Sequence, residues 1–245
     1  MASSCRLKET LRQIPPVIPP IVTPLLQFVC WENGVGPAIL NPTLTIEVDT
    51  PMAGPQEVLE FWLDRVGPAG WYASDDALDQ EIRDSFMPLW QSARDGGLGL
   101  WLTYPAGALA YLILTDQFSR NMFRDSATAF SLDHAALAVA KRVICKGWDL
   151  KIDEPARQFF YLPLMHSENL SDQGRCIRLM VERMPQTGAS NLLHAQAHRE
   201  VIRKFGRFPH RNAALSRLST RKESAYAAQG GYGQILRQLQ SSMAA

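Results

Sequence analysis

Most of the features that would mark this 245-residue chain as a specialised kind of protein are missing from it. Apart from a proline-broken stretch at 17–31, no run approaches the roughly 20 apolar residues that span a bilayer as a helix, so no membrane association is expected. Charge of one sign is missing too. The 25 Lys and Arg nearly balance 24 Asp and Glu, leaving a formal net charge of +1. A global pull toward nucleic acid or an anionic membrane is therefore not expected, and any electrostatic function must be local. The four cysteines, Cys5, Cys30, Cys145 and Cys176, contain no C-x-x-C and lie far apart. That spacing fits reduced thiols in a reducing, cytoplasmic compartment better than a zinc site or a disulfide framework. Nucleophile elbow, phosphate loop and complete metal motif are all missing, so no cofactor and no metal is read.

What is present divides into a tail and a body. Eight of the 16 prolines fall within residues 1–51, a density that defeats helix and interrupts the apolar stretch that would otherwise resemble a signal sequence. Met52-Ala-Gly-Pro-Gln-Glu reads like a translation start immediately before an amphipathic helix. Residues 1–51 are accordingly expected to be an upstream or poorly ordered extension, and 52–245 a single domain. Apolar residues make up 46% of the chain and charged residues 20%, the balance of a soluble globular protein rather than a disordered one.

From Pro55 onward the apolar spacing is helical, and no Asn-Gly or Asp-Gly turn lies between alternating strands. Val58, Leu59, Trp62 and Val66 make one stripe, and Leu78, Ile82, Phe86, Leu89 and Trp90 another, with Pro88 a potential kink and Gly96-Gly97 a stop. Residues 105–115 carry no charge and are apolar nearly all round, which marks a central helix. Further helices are predicted at 127–146 with Ser126 as N-cap, from Pro155 to Tyr161, at 172–184 and 189–205, and after the capping box Thr220-x-x-Glu223. The fold class is therefore all-α, about eight helices joined mostly by short loops as antiparallel hairpins. No 34-residue period is evident, so a repeat array is not read from spacing.

Three polar clusters break the pattern. In the first, Asp116 and Arg120 continue the inward face of Leu109 and Ile113, so an acid and a base four residues apart are expected to be buried and paired. Asp116 could orient or exchange a proton, while Arg120, Asn121 and Arg124 could face a ligand anion. In the second, His166 and Glu168 follow Pro163 at a helix entrance, where they could be metal ligands, an acid/base pair or a hydrogen-bonded turn. The third runs from His194 and His198 through Phe205-Gly-Arg207-Phe-Pro-His210-Arg211-Asn212. His194 and His198 fall on the inward side of a helix, without the intervening acid of a metalloprotease. Residues 199–223 hold eight Lys and Arg against two Glu. Such a local excess either solvates a helix end or binds a carboxylate or phosphate.

At these residues the sequence resembles a bacterial family known as domain of unknown function 924. The motifs that carry the resemblance are Glu57-Val-Leu-Glu-Phe-Trp62, Leu114-Thr-Asp-Gln-Phe-Ser-Arg-Asn-Met-Phe-Arg124, Phe160-Tyr-Leu-Pro-Leu-Met-His-Ser-Glu168, and His198 with Phe205-Gly-Arg-Phe-Pro-His-Arg-Asn212. It covers roughly residues 52–232. It implies an all-helical, tetratricopeptide-like fold and no established activity or cofactor. The segment Leu215–Thr220 departs from the family's usual glycine-containing form, which bears only on that local turn.

Two classes of function fit these residues. The first is a helical protein that binds a small anionic molecule, or the carboxylate of a peptide, in an Arg/His pocket held by Arg120, Asn121, Arg124, Arg207, His210, Arg211 and Asn212. The second is an enzyme, hydrolase-like and possibly metal-assisted, in which Asp116 or Glu168 shares acid/base work with His166 or His198. A protein-interaction scaffold, with the clusters serving only as structural pins, is the third reading. The pattern does not specify an oligomeric state.

Overall fold

A computed structural model describes residues 53–244, and the expectations for residues 1–51 lie outside it. Among the described residues every regular element is a helix or a helical turn. None of the helices is long and apolar enough to cross a membrane.

Helix α1 (Pro55–Leu59) starts with proline in its first turn, and the Glu57 carboxylate accepts the Gly54 N–H at 2.8 Å. It runs on as a π-helical segment, Glu60–Val66, and stops where Gly67 takes φ +66. Phe61 and Trp62 of this segment are buried, as are Val58 and Leu59 of the α-helical turn before it. Helix α2 (Asp76–Arg94) is capped by Asp75, whose side chain accepts the N–H groups of Ala77 and Leu78. Its buried stripe is Ile82, Phe86, Leu89, Trp90 and Ala93, and the helix continues through Pro88 rather than ending there.

The uncharged segment is the centre of the molecule. Every residue of α3 (Pro105–Leu112) from Ala106 onward is buried, and so is every residue of the π-helical segment Ile113–Phe118 that extends it. A Cβ on Gly107 would lie 2.4 Å from the Trp101 carbonyl oxygen, so only glycine lets α3 press this closely on the preceding turn. Around this axis Phe61, Phe86, Phe118, Trp62 and Phe159 meet edge-on or tilted at centroid distances of 5.0–6.3 Å.

The predicted helix at 127–146 is two elements. A 3₁₀ turn, Ala127–Phe130, is capped by Ser126, and α4 (Asp133–Cys145) follows after a break at Ser131-Leu132. The helix expected from Pro155 to Tyr161 is a 3₁₀ turn, Ala156–Phe160, followed by the short helix Leu162–Met165. Helix α5 (Leu170–Arg183) is capped by Asn169, and α6 (Ala189–Phe205) ends at Gly206 in the left-handed conformation. Helices α7 (Arg221–Ala228), with its Thr220/Glu223 capping box, and α8 (Gly231–Ala244) complete the chain. The α6–α8 contact buries its own small core of Ala197, Val201, Ile202, Phe208 and Ile235, distinct from the main one.

Candidate functional site

The π-helical segment of the central helix delivers the first functional group. Asp116 is 1% exposed, with carboxylate oxygens 2.9 Å from Arg120 Nη1 and 2.5 Å from Gln117 Nε2. Burial alone would raise its pKa, but Arg120 and His166 together outweigh that and hold it at about 2, so the group is a carboxylate at neutral pH.

His166 follows the short helix Leu162–Met165, whose backbone carries the chain past Asp116. Its Nδ1 lies 2.9 and 3.0 Å from the two Asp116 oxygens. An ionised carboxylate can only accept, so the imidazole proton sits on Nδ1 and Nε2 keeps its lone pair. Nε2 has no hydrogen-bond partner among the described residues. Burial, helped by Arg120 and Arg211, lowers the His166 pKa against the opposing pull of Asp116, which keeps the ring neutral.

Arg211 forms the opposite wall. Its guanidinium lies between the rings of Phe130 and Phe208, 4.6 Å from each centroid. Nη1 donates to Asp133 Oδ2 at 3.1 Å and Nη2 to the His166 carbonyl at 3.1 Å, while the buried Nε has no partner. Asp133 also accepts from Arg120 Nη2 at 3.0 Å, so Asp116, Arg120, Asp133 and Arg211 alternate in sign across the site. Glu168 repeats the arrangement: Arg217 grips it with two N–H donors at 2.7 and 3.0 Å, and the Phe208 N–H donates at 2.8 Å. Burial would raise the Glu168 pKa, but these donors lower it. Three carboxylates and three guanidiniums thus balance around a cleft of about 430 Å³. Asp116, Asp133, His134, His166, Glu168 and Arg211 are on its walls, with Leu137, Pro163 and Leu215 supplying apolar surface.

The predicted residues distribute unevenly over this site. Asp116, His166, Glu168, Arg120 and Arg211 come together in or directly behind the cleft. Asn121 and Arg124 do not; both bind Asp79 of α2, at 2.7 Å for Asn121 Nδ2 and 2.9 Å for Arg124 Nη2, and tie the end of the central helix to α2. Arg207 is also elsewhere, held by Glu223 with donors at 2.6 and 2.8 Å. Asn212 is buried and joins Ser219 to Arg217, a structural role behind Glu168. His210 is exposed beside Phe208. His198 stands 6.2 Å from His166, centroid to centroid, and its Nδ1 donates to the His194 carbonyl at 2.8 Å. Burial, foremost, lowers its pKa to about 3, and its ring packs edge-on against Phe208 and Tyr232. It is a neutral wedge beneath the site rather than part of its wall. Each guanidinium named for the anion pocket faces a carboxylate, and of the four only Arg211 lines the cleft. Among the described residues no group of three or more His, Cys, Asp or Glu side chains could hold a metal ion.

Sequence reasoning missed Phe130, Asp133, His134 and Arg217. The first three flank the break at Ser131-Leu132: Phe130 ends the 3₁₀ turn and lies 4.6 Å from Arg211, while Asp133 and His134 open α4, with the Asp133 carboxylate between Arg120 and Arg211. Arg217 depends on Ser216, which takes φ +53, a left-handed conformation that favours glycine. That residue lies in the segment Leu215–Thr220 already singled out as departing from a glycine-containing form, and this was the signal available in the sequence.

Comparison with known proteins gives a consistent family. Residues 58–231 match the family described as "Bacterial protein of unknown function (DUF924)". A solved structure of a protein of unknown function from Agrobacterium tumefaciens is similar at 36% identity with a TM-score of 0.67, covering 71% of this chain and 97% of that one. No curated protein matches.

Proposed function

The chain belongs to the bacterial DUF924 family of unknown function, and we propose that its cleft binds a small polar molecule and exchanges a proton with it through His166. One observation carries this reading: His166 Nδ1 is hydrogen-bonded to a buried, ionised carboxylate, Asp116, so its tautomer is set and a basic Nε2 is left over. A carboxylate that orients an imidazole and stabilises its cation is a recurrent acid/base device. In this site a proton accepted at Nε2 leaves an imidazolium flanked by Asp116, and Arg211 and Asp133 define where the ligand's polar atoms lie. Activation of a water molecule by Nε2 would make the reaction hydrolase-like. Glu168 is a positioning residue here, because its N–H and guanidinium donors fix Phe208 and thereby the ring beneath Arg211.

A panel of ester, amide, phosphate and glycoside substrates tests the proposal. The expected result is turnover with one class that is lost in His166→Gln and falls by about three to four orders of magnitude in Asp116→Asn, where the tautomer is no longer enforced. Circular dichroism and melting would establish that both variants are folded. Turnover that is unaffected by these substitutions, or absent for every class, overturns the acid/base role.

A further inference from the structure

We propose that a second groove, formed by the last turn of α6 with α7 and α8, takes an extended acidic peptide segment of a partner protein. The groove is about 470 Å³ and is separate from the cleft, with which it shares no residue. It takes two of the four cations of the basic stretch 199–223 that form no salt bridge among the described residues, Arg199 and Arg221 lying outside its lining. Arg203, Arg207, Arg211 and Arg217 each form a salt bridge to an acid. Lys204 and Lys222, which line the groove, form none among the described residues, and both are exposed. Glu200, the acid on the preceding turn of α6, is bonded to Arg203 at 2.7 Å and attracts Lys204 only through space, while Glu223 is held by Arg207. No acidic residue lines the groove.

The rest of the lining narrows the ligand class. Gln229, Gln234 and Gln238 face the same space, and their side-chain amides have no hydrogen-bond partner among the described residues. Gln234 and Gln238 are four apart on α8, one above the other on one helix face. A carboxamide offers a donor and an acceptor together, the complement of a peptide group. Two ammonium groups beside a row of carboxamides therefore match a chain whose backbone pairs with the amides and whose side chains carry carboxylates. The aromatic residues argue against nucleic acid. Phe205 and Tyr226 pack on each other at 4.8 Å and are half-buried, so they form an apolar floor rather than free faces on which bases could stack.

Fluorescence anisotropy of the full chain with a dye-labelled, end-blocked hexaglutamate peptide tests the assignment, with hexaglutamine and hexathymidylate as competitors of different chemistry. Saturable, salt-sensitive binding of hexaglutamate is expected. It should weaken about tenfold in Lys204→Ala/Lys222→Ala and several-fold in Gln234→Ala/Gln238→Ala. Removing two positive charges elsewhere, in Arg142→Ala/Lys151→Ala, should change nothing, and neither should His166→Gln. The proposal is overturned by absence of saturable binding up to millimolar peptide, by an equal loss in the Arg142/Lys151 control, or by tighter binding of hexathymidylate.

Discussion

The cleft and the groove draw on the same basic stretch of sequence and treat it in opposite ways. Around the cleft every guanidinium meets a carboxylate supplied by a distant element: Arg211 meets Asp133 of α4, and Arg217 meets Glu168 before α5. Around the groove Lys204 and Lys222 are exposed and form no salt bridge among the described residues. The contrast teaches that a run of positive charge is not itself a binding site. Charges drawn into a dry interior have to be paired, because an isolated buried ion costs several kcal/mol, whereas exposed lysines stay solvated and remain open to a partner.

The sharpest way to break this contrast is to remove the central carboxylate. Asp116→Ala leaves Arg120 and His166 without their shared partner in the interior, and a loss of about 3–5 kcal/mol in chemical denaturation is expected. A loss below about 1 kcal/mol would mean that the charge alternation is not what holds the cleft. Acid titration probes the same wall from beneath. The folded His198 pKa of about 3 lies below the ordinary 6.5, so between those values the unfolded chain binds more protons. Stability is therefore full above pH 6.5 and declines as pH falls toward 3, by roughly 5 kcal/mol from this group, with His166 acting in the same direction. Thermal melts across that range should show the decline, and His198→Leu should flatten it. An unchanged slope in that variant would assign the acid sensitivity elsewhere.

Smaller effects sharpen the comparison. Arg211→Met keeps a flexible side chain between Phe130 and Phe208 but removes the charge, and about 2 kcal/mol should be lost because Asp133 retains only Arg120. Ser216→Gly should raise stability by about 0.5–1 kcal/mol by relieving the left-handed backbone, and an unchanged or lower melting temperature would mean that this turn stores no strain. Lys204→Ala and Lys222→Ala should each stay within about 0.5 kcal/mol of the parent. A large destabilisation by either lysine variant would show that the groove's cations are structural after all.

Much of the architecture was legible before any coordinates. The limits of α6, 189–205, agree residue for residue with the helix predicted from apolar spacing and the Gly206 stop. The uncharged segment is the buried axis, and Asp116 and Arg120 are paired at its end, as expected of an acid and a base four residues apart on its inward face. Predictions failed where two elements must bend to meet. No local signal separates Ala127–Phe130 from α4, because Ser126 caps the first turn of either arrangement equally well. Asn121 and Arg124 look like site residues beside Asp116, yet Asn121 on the last helical turn and Arg124 in the turn after it both bond Asp79, 42 and 45 residues earlier in the chain.

The all-helical class, the limits of α6, the buried central segment and the chemical types available to a site follow from the sequence by itself, since periodicity, caps and stops act within a few residues of the chain. Which charges are neutralised and which remain open was decided only by the tertiary structure. Pairs such as His166 with Asp116, 50 residues apart, and Arg211 with Asp133, 78 apart, exist because packed helices bring them together, and nothing in local spacing encodes which acid a given arginine will find.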